Sequence, residues 1–317
     1  MCLAAFASGL NDRFPFVLLA NRDESFDRAA APMAWWPAQG ASAGVLAGRD
    51  LSAGGTWLGL TAAGRLALVT NVREPGRTLA LAPSRGDLVP RWLQAAHDVH
   101  DTAALNDMGS VARNGFNLLV ADLAGRLTVD AHGMAAAAAA PARWLSNRPQ
   151  VQQRALGPGV HGVSNAALDT PWPKVRRLKQ RLHDLLADVH DQLVDVHDQL
   201  VDVHDRLVDV HDQLVDVHDL QALQSAGLAA LADPHCAEDA ELPATGLPLL
   251  RERQLSPAFI RIVGGDPALA VYGTRCATVV AVQQLGNRRS VHVVERSFGP
   301  AGTVTGEVRH DWDLPDA

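Results

Sequence analysis

Apolar residues in the first seventy positions come in runs of strand length broken by turn residues. Cys2 to Ser8, Phe14 to Ala20, Val45 to Arg49, Trp57 to Thr61 and Leu66 to Asn71 each read as a strand, with Asn11-Asp12, Gly54-Gly55 and Ala62-Ala63-Gly64 as breaks. Several are apolar at successive positions, which predicts sheets covered on both faces. Leu88, Val89, Trp92, Leu93 and Ala96 recur at helical spacing and predict a helix from about Gly86 to Asp98. Phe116 to Ala121 and Arg126 to Ala131 read as a hairpin around Leu123-Ala124-Gly125, and the six alanines at 135–140 as a loop or short surface helix.

A second helical region is expected after Pro171-Trp172-Pro173, because proline fits the first turn of a helix. It runs into four tandem copies of a seven-residue unit, Asp-Val-His-Asp-Gln-Leu-Val, starting at Asp188, with Arg206 in place of one Gln. Leu193, Leu200, Leu207 and Leu214 then fall at heptad position a, with Val196, Val203, Val210 and Val217 at d, the pattern of a coiled-coil seam. We read 188–219 as a heptad-repeat helical insertion, a surface for self-association or docking, within one domain spanning 1–317. Strands resume at Ala270 to Tyr272, Cys276 to Gln283 and Ser290 to Phe298, and the tail from Asp311 to Ala317 is expected to fray. Strands, then helices, then strands predict an α+β fold.

With 317 residues, 47% of them hydrophobic, the chain can bury a large core. No apolar run is long enough to span a membrane and no basic segment precedes Leu3 to Ala20, so a cytoplasmic protein without a signal peptide is expected. The net charge of −7 is concentrated in the repeats, where ten Asp face the single Arg206 between Asp188 and Asp219. The remainder is close to neutral, which argues against nucleic acid or an anionic membrane as partner. Cys2, Cys236 and Cys276 are too few for a disulfide framework and read as free thiols of a reducing compartment. The six histidines from His183 to His218 recur every seven residues and read as a solvated face, so no metal site and no cofactor are expected. Leu242-Pro243-Ala244-Thr245-Gly246 matches a sortase motif but is expected to be a loop. Lys174, Arg176, Arg177, Lys179 and Arg181 read as a solvated basic helix face that could also meet a coenzyme A phosphate.

Several separated segments carry a family resemblance. Met1-Cys2 opens the chain, Asn21-Arg22-Asp23-Glu24 follows, and then Gly54-Gly55-Thr56-Trp57-Leu58-Gly59. Downstream stand Thr70-Asn71, Ser84-Arg85-Gly86, Asn114-Gly115-Phe116-Asn117-Leu118, Gly162-Val163-Ser164-Asn165, Pro171-Trp172-Pro173-Lys174 and Tyr272-Gly273-Thr274-Arg275. In this order they resemble the NRDE family, the transport and Golgi organisation protein 2 family, across nearly the whole chain except the repeats. The family looks like a branch of the N-terminal nucleophile hydrolases, which implies a four-layer αββα sandwich. Removal of Met1 would leave Cys2 with a thiol and an α-amine of pKa near ~8, able to act as base for its own side chain. The other reading of Cys2 is a small packed residue.

If strand geometry persists through Asn21-Arg22-Asp23-Glu24, Asn21 and Asp23 face one way and Arg22 and Glu24 the other. Arg22 is expected to lower the thiol pKa or hold an anionic group, and Asp23 to orient the α-amine; a salt-bridged strand end is the alternative. The resemblance places Asn71 and Asn165 near the nucleophile as oxyanion donors; the other reading of each is a turn residue satisfying its own backbone. Asn21 and Arg275 are candidates for substrate binding, Arg275 equally for a structural ion pair. Two functions follow. One is a thiol-dependent hydrolase of a linear amide or thioester of a small or lipid-like molecule. The other is a carrier or chaperone for haem or acyl-coenzyme A, since animal members of the family are associated with haem trafficking and lipid metabolism.

Overall fold

The computed structural model describes residues 2–37, 44–95, 97–125, 141–199, 205–264 and 270–315, with side chains given except over 188–217 and at 270. In chain order the elements are β1 (Cys2–Ser8), β2 (Phe16–Ser25), β3 (Ala30–Trp36), β4 (Val45–Asp50), β5 (Leu58–Thr61), β6 (Arg65–Asn71), α1 (Leu88–Gln94), α2 (Thr102–Ser110), β7 (Phe116–Asp122), β8 (Ala142–Ser146), β9 (Gln152–Leu156), β10 (Gly159–Val163), α3 (Pro173–Gln199), α4 (Asp205–Leu231), α5 (Leu249–Gln254), β11 (Arg261–Val263), β12 (Ala270–Leu285), β13 (Arg288–Phe298) and β14 (Val304–Asp313). They build two antiparallel seven-stranded sheets. One runs β10-β1-β2-β12-β13-β14 with β11 beside β12, the other β3-β4-β5-β6-β7-β8-β9.

Strand alternation sorts most of the apolar residues described into three large cores, beside a small cluster of Leu255, Ile260 and Ile262. Ala4, Phe6, Phe16, Leu18, Val280 and Val293 of the first sheet meet Leu46, Leu58, Leu66, Leu119 and Trp144 of the second. The intervening residues of the first sheet, including Leu3, Ala5, Val17, Leu19 and Val279, pack against Val175, Leu178 and Leu182 of α3 and Leu223 and Leu228 of α4. On the far side of the second sheet, Ala67, Val69, Leu118 and Val120 pack against Val89, Trp92 and Leu93 of α1 and Leu105 of α2. Successive apolar positions are therefore satisfied on both faces, as the sequence pattern requires. Burying one such leucine fully is worth about 2 kcal/mol, so these cores set the strand registers.

Several elements differ from expectation. β2 does not stop at Ala20 but continues to Ser25, because β1 pairs it as far as Arg22 and β12 pairs it on to Ser25. The two strands expected at Ala270 to Tyr272 and Cys276 to Gln283 are one, β12, irregular between Thr274 and Cys276. The first long helix is shorter than expected: a 3-10 turn at Arg85–Asp87 leads into α1, which ends at Gln94. Asp311 to Asp313 do not fray but complete β14, held by Ser290, Val291 and His292 of β13. The expected hairpin partner Arg126 to Ala131 and the alanines at 135–140 lie outside the described residues; β7 pairs with β6 and β8. Of the repeats, residues 188–199 lie in α3 and 205–215 in α4, which pack on each other; the seam side chains lie outside the described ones.

One turn grips both of these helices. Between β1 and β2, the Asn11 side chain caps its own loop by accepting from the Arg13 and Phe14 amides, and its Nδ2 donates to the Leu186 carbonyl of α3 at 3.2 Å. Arg13 Nη1 bridges to Asp219 Oδ2 of α4 at 2.5 Å. Among the described residues no helix is long and apolar enough to cross a membrane.

Candidate functional site

Strand register brings the candidate residues together. Cys2 opens β1 opposite Arg22 of β2, and Arg22 is in turn opposite Cys276 of β12. Opposed residues of antiparallel neighbours share a face, so Cys2, Arg22 and Cys276 form a row directed between the two sheets, in step with Ala4 and Phe6. Asn21 and Asp23 are directed to the opposite, helix-covered face. Asn21 Nδ2 donates to the carbonyls of Leu231 and Ala258, both at 2.9 Å, and Asp23 Oδ1 accepts from Thr274 Oγ1 at 2.8 Å. The tetrapeptide thus serves two environments at once.

At its Cys2 end the row opens into a cleft of about 190 Å³ lined by Cys2, Arg22, Asp50, Trp57, Asn71 and Arg85, among others. The Arg22 guanidinium lies 4.5 Å from the Trp57 ring centroid and 4.0 Å from Asp50 Oδ2. Gly48 leaves room for that ring, since a Cβ there would come within 2.3 Å of it. The wall behind Trp57 is made by backbone contact: Thr56 N donates to Gly86 O at 2.9 Å, and a Cβ on Gly55 would meet the same carbonyl at 2.3 Å. Gly54-Gly55 and Ser84-Arg85-Gly86 are therefore one structural unit that places Arg85 in the cleft. Behind Arg22 and Trp57 lies a second cavity of about 310 Å³, with Arg275, Cys276 and Glu295 in its lining.

Cys2 is partly exposed, Cys276 buried and Cys236 exposed. Burial raises the Cys2 thiol above its ordinary value; the positive amino terminus opposes this most, Asp23 adds to the rise, and Arg22 opposes it more weakly. Arg22 thus pulls the thiol in the expected downward direction, while burial sets the net shift upward. Burial also raises Asp23, and the charge that most opposes this is Lys174. Burial raises Cys276 well above its usual range and raises Glu295, which takes the Met33 amide at 2.7 Å.

The remaining candidates are placed as follows. Asn71 lines the cleft at the end of β6. Asn165 is buried and tied to it: its Nδ2 donates to the Asn71 carbonyl at 2.9 Å, and Ser164 Oγ donates to the Cys2 carbonyl at 2.9 Å. Asn21 is not brought to the cleft, because alternation turns it to the helices. Arg275 lines the second cavity; its Nη1 donates to the carbonyls of Ser25 and Arg28, and its guanidinium lies 4.9 Å from the Phe26 ring centroid. Among the described residues no group of His, Cys, Asp or Glu is arranged to hold a metal.

Lys174 departs furthest from expectation. It was expected on a solvated face, yet it is 2% exposed at the first turn of α3, and its Nζ has no hydrogen-bond partner among the described residues. Burial brings its pKa down to about 8, with Asp23 opposing and Arg73 reinforcing the fall. Its neighbours in the run do reach the surface, where Arg176 pairs with Glu241 and Arg181 with Asp233. Lys174, Arg85 and Trp57 all stand inside motif segments of the sequence, which was the available signal for them.

The chain matches the family model described as Transport and Golgi organisation 2 over residues 1–300. It is similar to the Transport and Golgi organization protein 2 homolog of Bos taurus, at 35% identity over 51% of this chain and 54% of the relative. The Homo sapiens homolog is 34% identical with the same shares covered, so the chain spans about half the length of the curated relatives it matches. Among solved structures it is similar to the C2A mutant of the conjugated bile acid hydrolase from Clostridium perfringens, with 8% identity, a TM-score of 0.38, and 99% and 98% of the two chains covered.

Proposed function

The chain belongs to the Transport and Golgi organisation 2 family, and from that premise we propose that it is a thiol-dependent N-terminal nucleophile hydrolase of a linear amide or thioester. In this reading the two sheets with their outer helices are an αββα sandwich of the N-terminal nucleophile type. The observation that carries it is the meeting of Cys2 with Arg22, Arg85 and Asn71 in one polar cleft, with Asp23 on the adjacent strand.

Removal of Met1 would free the Cys2 α-amine. That amine takes the thiol proton as the sulfur attacks the substrate carbonyl carbon, which supplies the base that a burial-raised thiol requires. The oxyanion is held by the Asn71 side chain; Asn165 positions the Asn71 backbone. The C–N or C–S bond then breaks, the α-ammonium returns its proton to the leaving amine or thiolate, and an acyl-Cys2 thioester remains. Water, deprotonated by the same amine, releases the acid and restores Cys2. Arg22 and Arg85 suit a substrate with an anionic group near the scissile bond.

The test joins intact mass with turnover. Purified protein begins at Cys2, and a panel of acyl-thioesters and N-acyl amino acids includes a substrate whose hydrolysis Cys2→Ala abolishes. Complete retention of Met1 in active protein would remove the amine mechanism. Equal binding of haem or acyl-coenzyme A by wild type and Cys2→Ala, with no turnover by either, would replace the hydrolase with a carrier.

A further inference from the structure

A buried lysine without a hydrogen bond is costly, and the cost needs a reason. Lys174 is 2% exposed and Asp23 1% exposed, on the helix-covered face directly behind the Cys2 row. Lys174 opens α3, which packs on β1, and the charges that act on it most are those of Asp23 of β2, Arg73 after β6, Cys2 of β1 and Glu252 of α5. Arg73 and Glu252 are already paired with each other, and Arg73 also lies 4.7 Å from the Trp172 ring centroid. Asp23 is thus the carboxylate that Lys174 faces most strongly, and Lys174 is the strongest influence keeping Asp23 ionised.

Asp23 follows Arg22, and Arg22 is the register partner of Cys2, so the Asp23 carboxylate stands beside the backbone at the head of β1. Once Met1 is gone, that position carries the Cys2 α-ammonium. Two cations then share one buried carboxylate, an arrangement with one positive charge too many for a desolvated site.

We propose that Lys174 is a positioning residue for the Cys2 α-amine, a buried like charge across Asp23 that drives the amine to its free-base form. The inference rests on the reading that Cys2 becomes the N-terminus. The two amines titrate as a coupled pair across Asp23, so the charge of either one favours the free-base form of the other. Without Lys174 the α-ammonium would pair with Asp23 undisturbed and hold its proton to higher pH. The sign is therefore definite: loss of Lys174 moves the α-amine midpoint, and the acidic limb of any activity, upward.

The experiment uses the full chain with Met1 removed by methionine aminopeptidase and with its three cysteines labelled with carbon-13. Titration of the Cys2 Cα signal reports the α-amine without requiring turnover. Lys174→Met is expected to raise its midpoint by about one pH unit, or about tenfold less free base near neutrality. Lys174→Arg keeps the charge and the wild-type midpoint. Lys174→Gln reports the same upward shift should the methionine variant fail to fold. A purely structural lysine would alter the melting temperature but leave the midpoint in place, and equal midpoints in wild type and the uncharged variants would overturn the proposal. A shift without turnover rejects only the hydrolase; turnover with no shift rejects only the role of Lys174.

Discussion

Arg22 is the residue on which the two cavities turn. It separates Cys2 from Cys276 in a single cross-strand row and lines both spaces. The three cysteines are consequently expected to differ in order of alkylation by iodoacetamide: Cys236 reacts as an exposed thiol, Cys2 through the cleft, and Cys276 only on unfolding. Peptide mass spectrometry after timed labelling at pH 8 reads this order, and early loss of Cys276 would contradict its burial against Glu295. Replacing Arg22 by Ala removes the cation from beside both Asp50 and Trp57 and joins the two cavities, at an expected cost of about 3 kcal/mol in denaturant unfolding. Cys2, Arg22 and Asp23 were picked out by the family resemblance of their segments, and strand alternation supplied the division of Arg22 and Asp23 between two faces. The burial of Lys174 was not legible in the sequence, since helical spacing says which side of α3 a residue takes but not what the other side meets.

At the scale of elements, the segment between β10 and α3 fixes where α3 begins and so where Lys174 stands. Asp169 organises it, with φ of 59°: its carboxylate takes the Gly162 amide at 2.9 Å, Lys179 Nζ at 2.7 Å and His161 Nδ1 at 3.0 Å. Burial works against the charge, yet the hydrogen bonds from His161, Lys179 and Gly162 hold the carboxyl well below the usual carboxylate range. A depressed folded-state pKa contributes stability above the unfolded value of ~3.9 that is lost as pH falls toward the folded one. Asp169→Asn is therefore expected to cost about 2 kcal/mol at pH 7, with the difference from wild type shrinking below about pH 4. Chemical denaturation across that range checks it; a cost independent of pH would show that packing rather than charge is at stake. The strands that the hydrophobic pattern disclosed, β1, β2, β4 to β7, β12 and β13, are all interior to their sheets. Three of the edge strands, β3, β9 and β14, escaped it because an edge buries little and its residues alternate with solvent or are polar throughout, and the interior strand β8 escaped it as well.

For the whole molecule, the turn at Asn11 and Arg13 ties α3 and α4 to the first sheet at Leu186 and Asp219, immediately outside the four repeat units. Removing two units together, 188–194 from α3 and 209–215 from α4, keeps both grips and the heptad phase. The shortened chain is expected to melt within a few degrees of wild type and to retain the Cys2 cleft. A collapse in folded yield would show that the repeats belong to the core, and loss of an oligomer alone would support the coiled-coil seam. The same two anchors bear on how such a sequence changes over generations. Near-identical tandem units are prone to gain and lose copies when a gene is replicated, and in most positions of a packed protein each such event would be lethal to folding. Here the copy number lies between two fixed points on one loop, so changes in steps of seven residues are expected to spare the cleft, as the double deletion would show.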